Sequence, residues 1–296
     1  MVAFDETDRI TAFHSKNRPA DNKHENFVNT AAYCLNRGIL EHISDEPEDF
    51  GLTVFPRVVA AGGHLHAYRT AEFIKDVGTL KWLREIEAKI LSGEVSSRNR
   101  ENAQLVVFLD RDGVLIKEAG DACTAEALTL LPGTGEAVKR LQEAGYLVIL
   151  VTNQPGIAKG FIDWSDVHAV HAEIDDQLAH SGAFLTDKYV CPHHLETGFP
   201  GERTELKIDC DCRKPKPGLL LRAGDHYNID FGRSFMVGDR TVDAAAAIAA
   251  GCRPLMVATG LADQDGKYDV GEVAMFADLS AAARYICALG AKGNAS

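Results

Sequence analysis

The sequence predicts an α/β protein: a three-layer parallel sheet over residues 103–296, preceded by a smaller α/β segment over residues 1–97. Three observations carry that prediction. Short apolar runs rich in β-formers alternate with stretches of helical spacing. The apolar runs are unbroken by polar residues, as expected of strands covered on both faces of a parallel sheet. Asp110, Thr152 and Asp239 stand at the carboxyl ends of such runs, and open α/β sheets bind ligands there.

The elements follow in order. Trp82–Leu91 reads as an amphipathic helix, and the polar stretch Leu91–Asn102 as a linker carrying the domain boundary. Leu105–Leu109 is the first strand, ending at Asp110. Gly133–Ala144 has helical spacing and stops at Gly145, a plausible C-terminal cap. Tyr146–Val151 is a buried strand ending at Thr152, followed by a helix over Asp166–His180 and a strand near Lys188–Val190. Ser234–Val237 is a strand closed by Gly238 and Asp239. Val242–Ala250 is an alanine-rich helix, and Leu255–Ala258 adds one more strand. Gly293–Ser296 is expected to fray.

At 296 residues, 46% of them hydrophobic, the chain can bury a sizeable core without disulfides or metals. The formal net charge is −12, of which the first hundred residues carry −2 and the remainder −10. Such an acidic chain opposes broad contact with nucleic acid or anionic lipid. No apolar run reaches the length of a membrane span, and the acidic start lacks the pattern of a secretory signal. Seven cysteines, three of them between 191 and 212, suggest reduced thiols and a metal site. A cytoplasmic location is expected.

The chemistry gathers at four places. In Phe108–Gly113 a strand delivers Asp110 at its tip, and Asp112 follows before a glycine. Carboxylates so close repel unless a cation or a shared proton intervenes, and Mg²⁺ takes hard oxygen ligands of this kind. Thr152 and Asn153 offer a hydroxyl and an amide to phosphate oxygens. Arg213, Lys214 and Lys216 are cations beside two prolines that restrain the backbone. Asp239 and Asp243 flank the start of a helix. Four such sets at strand ends make a phosphoryl-transfer site.

The segments FLDRDGVL, VTNQ, CRKPKPG and VGDRTVD resemble the four motifs of the haloacid dehalogenase superfamily, over roughly residues 105–260. The resemblance implies a Rossmann-like sheet and the following roles. Asp110 attacks phosphorus and forms an aspartyl-phosphate. Asp112 protonates the leaving alkoxide, then activates water, and its carbonyl meets the metal. Asp239 completes the Mg²⁺ site, with Asp243 outside the ligand set. Thr152, Asn153 and Lys214 hold the phosphoryl oxygens, and Arg213 reaches a second phosphate or a hydroxyl group. Arg111 is expected to point away from the phosphate.

Cys191-Pro192-His193 and Cys210-Asp211-Cys212 offer three thiolates and an imidazole, the donor set of a structural tetrahedral Zn²⁺ site. His194 is the alternate ligand and otherwise a solvent-facing histidine. Cys34, Cys123, Cys252 and Cys287 read as isolated thiols. Cys212 adjoins Arg213, so zinc would anchor the loop that presents the cations. This loop beside CRKPKPG resembles the histidinol-phosphatase and D,D-heptose 1,7-bisphosphate phosphatase branch, which has no large cap. VTNQPGIAKG and CPHH look nearest to the heptose bisphosphate 7-phosphatases, although Lys117–Ala127 lacks an expected aromatic-containing stretch.

Phe27–Ile43, Val54–Ala60 and Ala67–Leu80 resemble the C-terminal half of sugar-1-phosphate nucleotidyltransferases. In that family the aspartate of D-x-G-T, here Asp76, helps bind a metal. The family's glycine-rich nucleotide loop is not found, so this partial α/β segment is expected to be catalytically silent and to be available for self-association. The expected activity is hydrolysis of a small phosphorylated sugar, D-glycero-D-manno-heptose 1,7-bisphosphate, in nucleotide-activated heptose synthesis. The rival readings are a histidinol-phosphatase and a nucleotidyltransferase remnant serving as a binding module.

Overall fold

The structure is a computed structural model that describes residues 2–5, 7–13, 27–117, 120–261 and 265–293. Residues 118 and 119 of the Lys117–Ala127 segment, and 294–296 of the expected tail, lie outside the described residues. The chain divides into two compact units, residues 1–69 and 70–296.

In the first unit, strands Val2–Phe4 (β1) and Ile10–Phe13 (β2) pair antiparallel. Helix Phe55–Ala60 (α1) starts with Pro56 in its first turn, where a missing N–H costs nothing. Phe55 is the hub of this unit. The rings of Phe13, Tyr33 and Phe50 lie 5.5, 4.8 and 5.4 Å from it.

The second unit opens with Leu80–Leu91 (α2), capped by Thr79, and the short helix Glu94–Ser97 (α3). The stretch expected as a linker therefore carries the end of α2 and all of α3. Gln104 stitches it down: its side-chain amide donates to the carbonyls of Ser97 and Asn102 at 3.1 and 2.9 Å. The Gln104 backbone N–H donates to Asn228 O at 2.7 Å.

The sheet then builds as strand and helix in turn: Val106–Leu109 (β3), Thr134–Glu143 (α4), Leu147–Asn153 (β4), Trp164–Ala179 (α5), Asp187–Cys191 (β5), Gly218–Tyr227 (α6), Phe235–Gly238 (β6), Thr241–Ala250 (α7), Arg253–Val257 (β7), Ala274–Phe276 (β8) and Leu279–Gly293 (α8). The six strands of this unit are parallel in the order β5-β4-β3-β6-β7-β8. The elements expected from residue 82 onward are observed with ends shifted by two residues or fewer. Gly145 follows α4 at φ +90°, the left-handed stop that glycine permits. Helices α6 and α8 and the three-residue edge strand β8 are additions to that expectation.

Side chains alternate across β3. Val107 and Leu109 join Leu150, Val237 and residues of α4, α5 and α8 in one core layer. Val106 and Phe108 join Ile149, Met236 and the α6 and α7 residues Leu219, Leu220, Ala246 and Ala247 in the other. This period of two sends successive residues to opposite faces, which gives three layers. Each fully buried apolar side chain contributes about 1.5–3 kcal/mol, so the sheet core fixes where the strand ends point. The chain passes to β4 and β5 on one side of β3 and to β6, β7 and β8 on the other. That reversal opens a crevice at the carboxyl end of β3.

Candidate active site

Asp110 follows β3 directly, and its backbone N–H still donates to Val237 O of β6 at 3.0 Å. The ladder thus holds the residue's backbone while its side chain meets the crevice. Gly113 turns the chain at φ +77°, and a Cβ there would lie 2.6 Å from Asp239 Cγ. A Cβ on Gly260 would overlap Asp239 Oδ2 on another side. Asp239, fully buried at the end of β6, is therefore packed between two glycine backbones. The N–H of Leu261 donates to Asp239 Oδ2 at 2.8 Å, and Thr259 Oγ1 donates to Gly113 O at 2.6 Å. Asp243, in the first turn of α7, accepts at Oδ2 from the backbone N–H of Arg240 at 3.2 Å.

One donor oxygen from each of Asp110, Asp239 and Asp243 lies within 4.8 Å of the others, and all three residues are buried. Lys214, 3% exposed, faces this acidic group. Its Nζ stands 2.8 Å from Asp110 Oδ1, 2.6 Å from Asp243 Oδ1 and 2.9 Å from Val151 O. Burial alone would pull the ammonium's pKa down, but the charges of Asp110 and Asp243 outweigh it and hold the lysine up. Burial pushes Asp243 up to about 7, with Lys214 opposing and Asp110 adding to the rise. The oxygen-only donor set suits a hard divalent cation such as Mg²⁺.

A cavity of about 450 Å³ opens over these strand ends. Asp110, Asp112, Thr152, Asn153, Arg213 and Lys214 all line it. Asn153 clasps the lysine's backbone, with Nδ2 donating to Lys214 O and Oδ1 accepting from Lys214 N, each at 3.1 Å. Arg213 Nη1 donates to His193 O at 3.0 Å. Asp112 is not among the clustered carboxylates; its side chain pairs with Arg111 Nε at 3.0 Å. Asp243, expected outside the ligand set, has its carboxylate inside the cluster. Arg111 does not line the cavity, but it is 1% exposed and so is no surface residue. Asp76 belongs to no donor cluster among the described residues.

A second donor set runs in sequence up to Arg213 and Lys214. Cys191 ends β5, and His193 follows it in the loop. Cys191 Sγ and Cys210 Sγ are 3.7 Å apart, Cys210 and Cys212 3.2 Å, and His193 Nδ1 lies 3.2 Å from Cys212 Sγ. Thiolates on one tetrahedral zinc stand about 3.7 Å apart, given Zn–S bonds of about 2.3 Å. The spacing and donor chemistry fit that ion. His194 corrects an expectation: its side chain is only 13% exposed, and its Nδ1 accepts from Glu196 N at 3.2 Å. Burial pulls its pKa down.

The residues to which sequence reasoning gave no part in the site are Arg111, Gln154, Gly260 and the 265–268 loop. Asp265 takes both the N–H and the hydroxyl of Thr241, at 3.0 and 2.9 Å, and so ties that loop to α7. Gln154 offered the one available signal, standing two residues after Thr152 on the same face of an extended segment.

Two family models match the chain: a HAD-hydrolase-like model over residues 211–282 and a nucleotidyl transferase model over residues 1–93. The D-glycero-beta-D-manno-heptose-1,7-bisphosphate 7-phosphatase of Vibrio cholerae is 42% identical over 159 residues, covering 53% of this chain and 83% of the relative. That of Thermosynechococcus vestitus, a D-glycero-D-manno-heptose-1,7-bisphosphate 7-phosphatase, is 39% identical over 61% of this chain and 94% of its own. Among solved structures, the D,D-heptose 1,7-bisphosphate phosphatase of B. bronchiseptica, complexed with magnesium and phosphate, aligns with a TM-score of 0.55. It is 31% identical and covers 63% of this chain and 99% of its own.

Proposed function

Because the chain belongs to the heptose 1,7-bisphosphate 7-phosphatase family of haloacid dehalogenase-like hydrolases, we propose that it removes the 7-phosphate of D-glycero-D-manno-heptose 1,7-bisphosphate and leaves the anomeric phosphate in place. The observation that carries the reading is Lys214. A fully buried ammonium within 2.8 Å of Asp110 and 2.6 Å of Asp243 sets a cation beside the nucleophile, where phosphoryl charge must be held.

In the proposed reaction an oxygen of Asp110 attacks phosphorus, and the bond from phosphorus to the sugar oxygen breaks. The leaving oxygen takes a proton from Asp112. Asp112, now a carboxylate, accepts a proton from the water that attacks the aspartyl-phosphate, and inorganic phosphate departs. Splitting one displacement into two lowers each barrier. Lys214, Thr152 and the Asn153-braced loop hold the phosphoryl oxygens through both steps. Mg²⁺ would be held by Asp110, Asp239 and the carbonyl of Asp112, and when bound it offsets charge on the transferred group. Asp243 is assigned to Lys214. Cys191, His193, Cys210 and Cys212 would hold a structural Zn²⁺ that braces Arg213 and Lys214.

The cavity rim favours a second anionic group over an amine. Arg213, Arg240 and Lys267 reach it, while its acids Asp121 and Asp209 are paired with Lys159 and Lys216 at 2.6 Å each and Asp265 is held by the N–H and hydroxyl of Thr241. Histidinol phosphate brings a cation to that rim, a bisphosphate a second anion. Phosphate release from heptose bisphosphate and from histidinol phosphate, with and without Mg²⁺, tests the choice. Faster turnover of histidinol phosphate would reverse it.

The segment 1–97 is proposed as a domain distinct from 103–296. The apolar Val28, Leu40, Leu52 and Tyr68, each more than half exposed, support self-association through it. Sedimentation with and without these residues changed to serine tests that. No helix among the described residues is long and apolar enough to cross a membrane, and a cytoplasmic location is part of the same proposal.

A further inference from the structure

Asp112 is gripped from two sides. Arg111 forks onto its carboxylate, Nε to Oδ2 at 3.0 Å and Nη2 to Oδ1 at 3.4 Å. The same Nη2 donates to Gln154 Oε1 at 2.9 Å. Gln154 closes the ring, its Nε2 donating to Asp112 Oδ2 at 3.2 Å and to Thr152 Oγ1 at 3.0 Å. Both hydrogens of that amide are then used, and its oxygen is taken by the guanidinium. Arg111 and Gln154 are 1% and 3% exposed, whereas the Asp112 side chain is 14% exposed and lines the cavity.

A buried guanidinium is costly to place unless it is paired and hydrogen-bonded. Here its hydrogen bonds run to the one motif carboxylate outside the metal-type cluster and to the amide that grips the same oxygen. Such a closed network leaves the carboxylate few orientations. We propose that Arg111 and Gln154 are positioning residues for Asp112, holding its carboxyl where it meets the leaving oxygen of the ester. The inference rests on the acid–base reading of Asp112 given above. In the step it serves, Asp110 bonds to phosphorus and the ester P–O bond breaks with its electron pair on the sugar oxygen. The proton passes from Asp112 to that oxygen, and the resulting carboxylate faces the Arg111 cation.

Leaving-group dependence separates positioning from a merely structural role. An alkoxide needs the proton as it departs, whereas an acidic phenol departs without it. kcat/KM reads events through that departure, so hydrolysis of the next intermediate does not blur it. The Mg²⁺-loaded enzyme is compared with Arg111→Met, Gln154→Leu and Arg111→Lys on heptose bisphosphate and on para-nitrophenyl phosphate. General acid catalysis supplies about 10²–10⁴-fold, so Arg111→Met and Gln154→Leu are each expected to lose roughly 10–100-fold on the sugar ester and less than about threefold on the aryl ester. Arg111→Lys, which keeps the charge but not the fork, falls between. Equal losses on both esters overturn the proposal, as does unchanged kcat/KM on the sugar ester in Gln154→Leu. Should Arg111→Met fail to fold, Gln154→Leu and Arg111→Lys decide alone. Asp112→Asn is the control. If it too lowers both esters equally, the acid–base reading fails; if it alone is selective, the positioning proposal fails.

Discussion

Cys212 of the sulfur cluster stands two residues before Lys214, the counter-ion of the oxygen cluster, yet the two clusters are built by opposite means. The oxygen cluster draws its members from strand ends and a helix start: Asp110 after β3, Asp239 after β6 and Asp243 in α7. It carries its own counter-charge in Lys214. The sulfur cluster has one member on a strand, Cys191, and the rest in loops. A cluster on a rigid frame, with part of its charge offset by a lysine, can keep its shape through a reaction cycle. A loop cluster of thiols would be ordered by an ion that it binds, because metal binding and loop ordering are then one event.

The largest expected effect falls on the oxygen cluster. Asp110→Asn keeps size and polarity but removes the nucleophile, and phosphate release is predicted to fall by at least about 10³-fold. Turnover near the parent rate would move the nucleophile elsewhere. Next comes the internal counter-ion. Lys214→Met leaves buried carboxylates unbalanced, and removal of one partner from such a group costs about 3–5 kcal/mol. Urea unfolding should show that loss, and adding Asp243→Asn should recover part of it. Additive losses in the double variant would mean the charges do not balance each other.

For the sulfur cluster, chelation or Cys210→Ser is expected to lower the melting temperature by about 5–10 °C, equivalent to about 2–3 kcal/mol for a domain of this size. Activity should fall with it and return with Zn²⁺, since Arg213 and Lys214 follow Cys212 in the chain. A chelated protein that melts unchanged would remove zinc from the account. The smallest effect belongs to the packing around Asp239. The added methyl of Gly260→Ala would overlap Asp239 Oδ2, and the Mg²⁺ concentration for half-maximal rate is predicted to rise about tenfold, near 1.4 kcal/mol. An unshifted Mg²⁺ dependence would show that Asp239 does not need the glycine.

How far the sequence foretold these clusters follows from the same contrast. Strands β3, β4 and β6 were legible because each is an apolar run that stops at a polar residue, and that residue lands at the sheet's carboxyl edge. Helix α6 was not, since Gly218 and three consecutive leucines give no helical period. Helix α8 is broken in sequence by Gly290, and β8 is too short to signal itself. Within the site, Asp110, Asp239 and Lys214 could be read from their motifs. That the Asp243 carboxylate comes within reach of Asp110 and Asp239 was not legible, because it depends on how α7 leaves β6. Arg111 ran against the ordinary rule that arginine sits at the surface. Its burial becomes intelligible only once Gln154, distant in sequence, arrives beside it from β4.

The central claim is that Asp110 is phosphorylated during turnover beside the Lys214 cation. Acid quench of the Mg²⁺ enzyme during turnover of heptose bisphosphate, followed by borohydride reduction and peptide mass mapping, tests it directly. Reduction of an aspartyl-phosphate yields homoserine, and the account predicts homoserine at position 110. Its appearance at any other carboxylate, or at none while turnover continues, would contradict the account.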